Sequence, residues 1–423
     1  MKTHIHRLMF LTAMSSVALT LGPALSAQSA TPAVTATPAA EPDAAPLTFQ
    51  EALQNGKVTL DVRLRYEHVD QDGFAEKADA LTLRTRLGYG TAAWHDFKAY
   101  FEVENTTALV DDYADSVTAK PGYPVVMDPE VTEVNQVWLS YTFADTQATI
   151  GRQRIVYDNA RFVGDVGWRQ DNQTFDAVRL RNTTLKDLAF DYAWLWKINR
   201  VQGDDRDWDS NSHLLNASYS GFKPGVLTAY AYLLDFDGPA PSVAASTQTY
   251  GLSFAGSTPL NDTLKLTYRA EYAFQSDYAD NPASYDASYY VAELGVALPK
   301  FAVAAGYEVL GADDGQGFRT PLGTVHAFGG WSDFALPVGN IPGGIRDLYL
   351  KVSATLPYKI GLLAFYHQLE ADEGGADYGD ELDLQLTYRI NKNLTLLAKA
   401  AFFDGKDTYA DLNKFWLQAD YSF

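Results

Sequence analysis

From Lys57 to the last residue, Phe423, apolar side chains return at every second position, and this period constrains the fold more than any other feature. In VTLDVRLRYEH, Val58, Leu60, Val62, Leu64 and Tyr66 alternate with Thr59, Asp61, Arg63, Arg65 and Glu67. A strand built from it has one apolar and one charged face. The alternation recurs with Leu81, Leu83, Leu87 and Tyr89 against Arg84 and Arg86, and with Leu188, Phe190, Tyr192 and Trp194 against Asp191 and Lys197. Later it pairs Leu382, Leu384, Leu386 and Tyr388 against Glu381, Asp383 and Arg389. Although 47% of residues are hydrophobic, no internal run approaches the roughly 20 apolar residues of a spanning helix.

A soluble sandwich also alternates, so the period needs support from other features. Connections alternate short, as at Ala144 to Thr146 and Pro299-Lys300, and long, as at Asp70 to Asp79, Leu109 to Glu133, Tyr157 to Thr174, Gly311 to Arg346 and Ala371 to Asp380. Aromatic residues gather near strand ends, as in the girdles of membrane barrels. The chain closes on FWLQADYSF, alternating up to a terminal Phe423; this resembles the signal read by the outer-membrane barrel assembly machinery. The expectation is an all-β protein, a transmembrane antiparallel barrel of about 18 strands with short periplasmic turns and long extracellular loops. Closure removes the exposed edges that lipid does not tolerate.

Ahead of this pattern, Lys2 and Arg7 precede an apolar run from Leu8 to Leu25 and the small pair Ser26-Ala27, the order of a secretory signal peptide. Residues 1–27 are therefore expected to be a signal peptide, 28–56 an Ala/Pro-rich periplasmic linker ending in a short helix, and 57–423 the barrel. Thr48, three residues before Glu51, makes a capping box for that helix, and Gly56 stops it. The expected location is the outer membrane of a Gram-negative cell, with outer-membrane lipid as a partner.

With no cysteine, disulfides, thiolate metal sites and cysteine nucleophiles are excluded. A balance of 33 basic to 53 acidic residues, formally -20, argues against nucleic acid. Against this background the stretch from Gly151 to Arg181, GRQRIVYDNARFVGDVGWRQDNQTFDAVRLR, is unusual in holding Arg152, Arg154, Arg161, Arg169, Arg179 and Arg181. A barrel of this strand count has an aqueous lumen. Arg63, Arg65, Arg84, Arg86, Arg179, Arg181 and Arg269 fall on its inner face, and Arg161 and Arg169 lie on the long third loop. Together they offer bidentate donors for carboxylates or phosphates. The alternative is that they pair with lumen acids such as Asp61, Glu67, Glu102, Glu104, Asp191 and Glu271 and hold the wall together. At Arg152 and Arg154 the register is untidy, which a bulge or an inward loop would resolve.

This central stretch, with the opening FQEALQNGKVTLDVRLRYEHV, resembles the alginate export family of outer-membrane porins. The resemblance implies an eighteen-stranded barrel with an arginine-rich conduit for an acidic polysaccharide or other anionic saccharide. Arg152, Arg154, Arg161, Arg169, Arg179 and Arg181 would carry it, with Gln153, Asn159, Gln170 and Asp176 as neighbours that orient them. Turns on the periplasmic side are only a few residues long, so export and uptake, and polymer and small anionic solutes, stay open.

An outer-membrane enzyme is the rival class. His68, His95, His213, His326 and His367 are scattered, and none lies in a G-x-S-x-G motif. Each reads as an ordinary surface or lumen residue. A closed structural barrel is a third reading. Neither cofactor nor metal is expected; the alternate acids Asp205, Asp207 and Asp209 read as a solvated loop rather than a calcium loop.

Overall fold

A computed structural model describes residues 47–239, 241–334 and 341–423. The expected signal peptide and most of the linker lie outside the described residues. The chain first forms α1 (Phe49–Gln54), with the Thr48 and Glu51 capping box in place. It then enters one antiparallel sheet. The strands are β1 (Lys57–Gln71), β2 (Ala78–Gly90), β3 (Phe97–Asp112), β4 (Val131–Phe143), β5 (Thr146–Gln153), β6 (Thr174–Asn182), β7 (Leu188–Asn199), β8 (Trp208–Tyr219), β9 (Gly225–Leu234), β10 (Thr247–Pro259), β11 (Lys265–Asp277), β12 (Asp286–Leu298) and β13 (Phe301–Leu310). Next comes a two-residue hairpin, β14 (Ala312–Asp313) with β15 (Gln316–Gly317). The wall resumes with β16 (Ile345–Thr355), β17 (Gly361–Glu370), β18 (Asp377–Arg389), β19 (Leu394–Gly405) and β20 (Leu412–Ser422).

Each barrel strand pairs with the next along the chain, and β20 pairs back with β1, closing a ring of 18 strands. Leu60 and Phe423 exchange backbone hydrogen bonds of 3.2 and 3.0 Å at the seam, so the terminal phenylalanine is part of the closure. The polarity is inside out. Leu417 and Leu294 on the outer face are 61% and 59% exposed, while Arg65 and Asp383 on the inner face are 0% exposed. A water-soluble sandwich would show the reverse, because apolar area is the area that water expels; an apolar outer face of this kind suits a lipid surround.

Several connections expected to be long are short. The β1–β2 link is residues 72–77 and the β17–β18 link is residues 371–376, because Ala78, Asp79 and Asp377 continue the ladder. The extracellular-end loops that are long are residues 113–130, 154–173 and the described part of 311–344.

Candidate site in the barrel lumen

β5 and β6 are the shortest wall strands, 8 and 9 residues, because the chain leaves the wall after Gln153 and folds inward. At its tip, turns at Asp158 and Ala160 take positive φ, and Phe162 packs among Tyr230, Tyr289 and Phe318 with centroids 5.1 to 5.8 Å apart. The second inward loop joins it as a strand would. Gly164 N–H donates to Leu322 O at 2.8 Å, and Thr324 N–H to Ala160 O at 2.9 Å. Gly323 allows this approach, since a Cβ there would lie 2.3 Å from Arg161 O. The two loops thus satisfy some of each other's backbone groups while buried.

The β1–β2 wall holds the far side of the first loop through its carbonyls. Arg63 Nη1 donates to the carbonyls of Gly167 and Trp168, both at 3.1 Å. The Arg65 guanidinium lies 4.1 Å from the Trp168 ring centroid and donates to the Trp168 carbonyl. Arg84 and Arg86 both donate to the Gln170 carbonyl, at 3.4 and 3.0 Å. Gln170 N–H in turn donates to Asp128 at 2.8 Å, bringing in the 113–130 loop.

Each of the six lumen acids named from the sequence meets an arginine. Arg84 pairs with Asp61, Arg86 with Glu104 and Arg269 with Glu271. Arg169 lies 3.2 Å from Glu67, Arg179 2.6 Å from Asp191 and Arg154 3.8 Å from Glu102. Arg63 has Asp420 at 2.7 Å. On the loops, Arg161 pairs with Glu308 at 2.9 Å and lies over the Phe328 ring. Arg169 also binds Asp333 at 3.1 Å, so one guanidinium joins the β1 wall to both inward loops.

Not all candidates share this interior. Arg152 stands opposite Val137, an exposed outer-face residue, and pairs with Asp176 at 2.9 Å. It therefore points away from the lumen. The untidy register is real: Gly151 takes φ +119° opposite Trp138, and β4 carries a bulge at Asn135. Gln153 is buried and donates to Ala177 O. Asn159 accepts from Arg161 N–H at 3.3 Å, and Gln170 is fully buried with its amide on Thr82 Oγ1 at 2.7 Å. Arg181 is exposed on the inward face, two residues beyond Arg179, with no ion pair among the described residues.

Sequence reasoning missed the centre of the second loop. Lys399 Nζ lies 3.7 and 4.1 Å from the ring centroids of Trp331 and Trp168, and 2.6 Å from His326 Nε2. Since an ammonium only donates, Nε2 accepts, and His326 Nδ1–H donates to Asp333 at 2.9 Å. This arrangement is that of the neutral tautomer. Burial first of all, aided by the Lys399 and Arg169 charges, pushes the imidazole pKa well below the ordinary value despite Asp333. Burial opposes the Asp333 charge, yet His326, Lys414 and Arg169 outweigh it and hold that carboxyl below the usual range. Trp331 N–H and Ser332 N–H donate to Asp383 and Glu381 at 3.1 and 2.6 Å. His326 and His367, read as ordinary surface or lumen residues, lie buried on the lumen side against the carboxylates of Asp333 and Asp347. The available signal was the lysines and acids at inward positions of β18 to β20.

The profile of the alginate export family matches residues 55–313. No curated protein sequence matches the chain. Among solved structures, Pseudomonas aeruginosa OpdK with vanillate is similar at a TM-score of 0.69 and 13% identity, covering 88% of this chain and 99% of that one. OccAB2 of Acinetobacter baumannii is similar at a TM-score of 0.69 and 17% identity, with the same coverage. At these identities the likeness shows the fold.

Proposed function

The chain belongs to the alginate export family, with the barrel of an outer-membrane porin, and on that premise we propose that it passes anionic, saccharide-sized solutes through a lumen narrowed by its two inward loops. Most of the arginines in the arginine-rich set have carboxylate partners, so their fields are short-ranged. Selectivity is then left to cations without such partners. The observation that carries the reading is a pair of them on nearly opposite walls: Arg181 on β6 and Lys351 on β16, eight positions apart in the ring. Lys351 shares the inward face with Tyr349 and Asp347, rests over the Phe365 ring, and has no ion pair among the described residues. Arg179, Arg269 and Arg63 flank the path as partly exposed, paired guanidiniums.

An unscreened charge about 8 Å from a passing carboxylate in water contributes about 0.5 kcal/mol, or roughly twofold in local concentration. Two such charges give a modest preference, strongest at low salt. The other arginines would act chiefly by building the constriction.

The test is the reversal potential of the reconstituted protein in a planar bilayer under a dilute potassium chloride gradient. Anion preference is expected, and replacing Arg181 and Lys351 together by glutamine should abolish most of it. Uronate oligomers should block the current reversibly. Cation preference, or no current at all, would reject the proposal. Anion preference without any effect of uronates would leave a general anion pore.

A further inference from the structure

α1 is docked on the outside of the barrel. Tyr89 donates its hydroxyl to Leu53 O, and Ala92 N–H donates to Ala52 O at 3.0 Å. Tyr89 belongs to the outer face, because its cross-strand neighbours are Val58 and Phe101, 53% and 46% exposed. Gly56 makes the seat possible: a Cβ there would stand 2.1 Å from the Tyr89 hydroxyl oxygen.

The helix buries Ala52 against this wall and leaves Phe49 and Leu53, one turn apart, 59% and 42% exposed. Phe49 meets Trp94 edge-on at 5.5 Å, and Trp94 is itself exposed in the β2–β3 turn. Phe49, Leu53 and Trp94 extend the apolar belt of Val58, Leu87 and Phe101 at the end of the barrel with short turns and the carboxy terminus. Gln50, Glu51 and Gln54 supply the polar side, with Glu51 engaged in the cap.

We propose that α1 is an interfacial anchor lying in the periplasmic leaflet of the outer membrane, with Phe49, Leu53 and Trp94 at the boundary between headgroups and acyl chains. The partner is phospholipid. Continuity with the lipid-facing belt selects it over a second copy or a periplasmic protein. The arrangement suits an aromatic and a leucine flanking a short polar face, the pattern of helices that lie on membranes rather than cross them.

The chain has no cysteine, so single nitroxide labels can be placed cleanly. Phe49→Cys, Leu53→Cys, Gln50→Cys and, as an embedded reference, Leu384→Cys are refolded in vesicles of phosphatidylethanolamine and phosphatidylglycerol, with heat-modifiable gel migration confirming the barrel. Collision rates with oxygen and with a water-soluble nickel chelate are then compared. The expected result is an oxygen-to-nickel ratio at positions 49 and 53 several-fold above that at 50, approaching that at 384. Nickel access at 49 and 53 equal to that at 50, or low access to both reagents, as under a protein partner, would overturn the proposal.

Discussion

Arg169 is the side chain whose removal should most change the lumen. It is 4% exposed and bonds Glu67, Asp128 and Asp333, each 1% exposed on the side chain, from β1 and two loops. Arg169→Met keeps much of the volume and deletes the charge. Three buried carboxylates then lose a shared cation, and breaking such a pair from one side costs about 3–5 kcal/mol. Arg65, 3.5 Å from Asp128, and Lys414, 4.0 Å from Asp333, compensate in part. The lower figure, about 3 kcal/mol, is therefore expected, shifting the seated-to-released equilibrium of the 154–173 loop roughly 100-fold. Limited chymotrypsin digestion in vesicles reads this directly, because cleavage at the loop aromatics Tyr157 and Trp168 tracks the released population. The single-channel current should become noisier and larger. Adding Glu67→Gln should recover part of the loss, since one uncompensated charge disappears, whereas Lys186→Met in an exposed turn should change nothing. Unaltered digestion and current in Arg169→Met would refute the idea that this guanidinium seats the loops.

Particular contacts set other outcomes. His326 is neutral in the fold with its pKa depressed, so the unfolded loop takes up a proton first; seating of residues 318–334 should be unaffected above neutrality and weaken as pH falls below about 6.5. Loop protection measured across this range should show that slope, and His326→Asn should remove it. Leu384→Arg on the lipid face should cost about 2–4 kcal/mol, seen as a lower urea midpoint of barrel unfolding, while Thr387→Arg, half-buried on the lumen side, should cost far less; equal effects would contradict the assigned faces. Gly151→Ala combines φ +119° with a Cβ 2.2 Å from Val137 O, so it should destabilise the β4–β5 hairpin by more than about 1 kcal/mol, and an unchanged midpoint would refute the strain.

The barrel was legible in the residues because lipid enforces a period of two on every spanning strand. Glu381, Leu382, Asp383 and Leu384 announce their faces with no knowledge of their neighbours, and the short turns give the strand count. The capping box of α1 was equally local. Strand ends were less so: Ala78 and Asp377 look like loop residues until their partners across the ladder are known.

The arginine-rich stretch could be seen, but not what its charges meet. Arg161 reaches Glu308 and Arg169 reaches Asp333 across 147 and 164 residues, and Lys399 finds His326 across 73. A loop inside a barrel has no periodicity to betray its path, since it is held by partners distant in the chain. Arg152 shows the same limit at short range: a single glycine at Gly151 sets a register that aims it outward beside Asp176. Hydropathy therefore determined, one residue at a time, the closed wall and its two solvents. Only the tertiary structure decided which guanidiniums are neutralised within the wall and which remain facing water, because an ion pair depends on distance in space and the sequence encodes only distance along the chain.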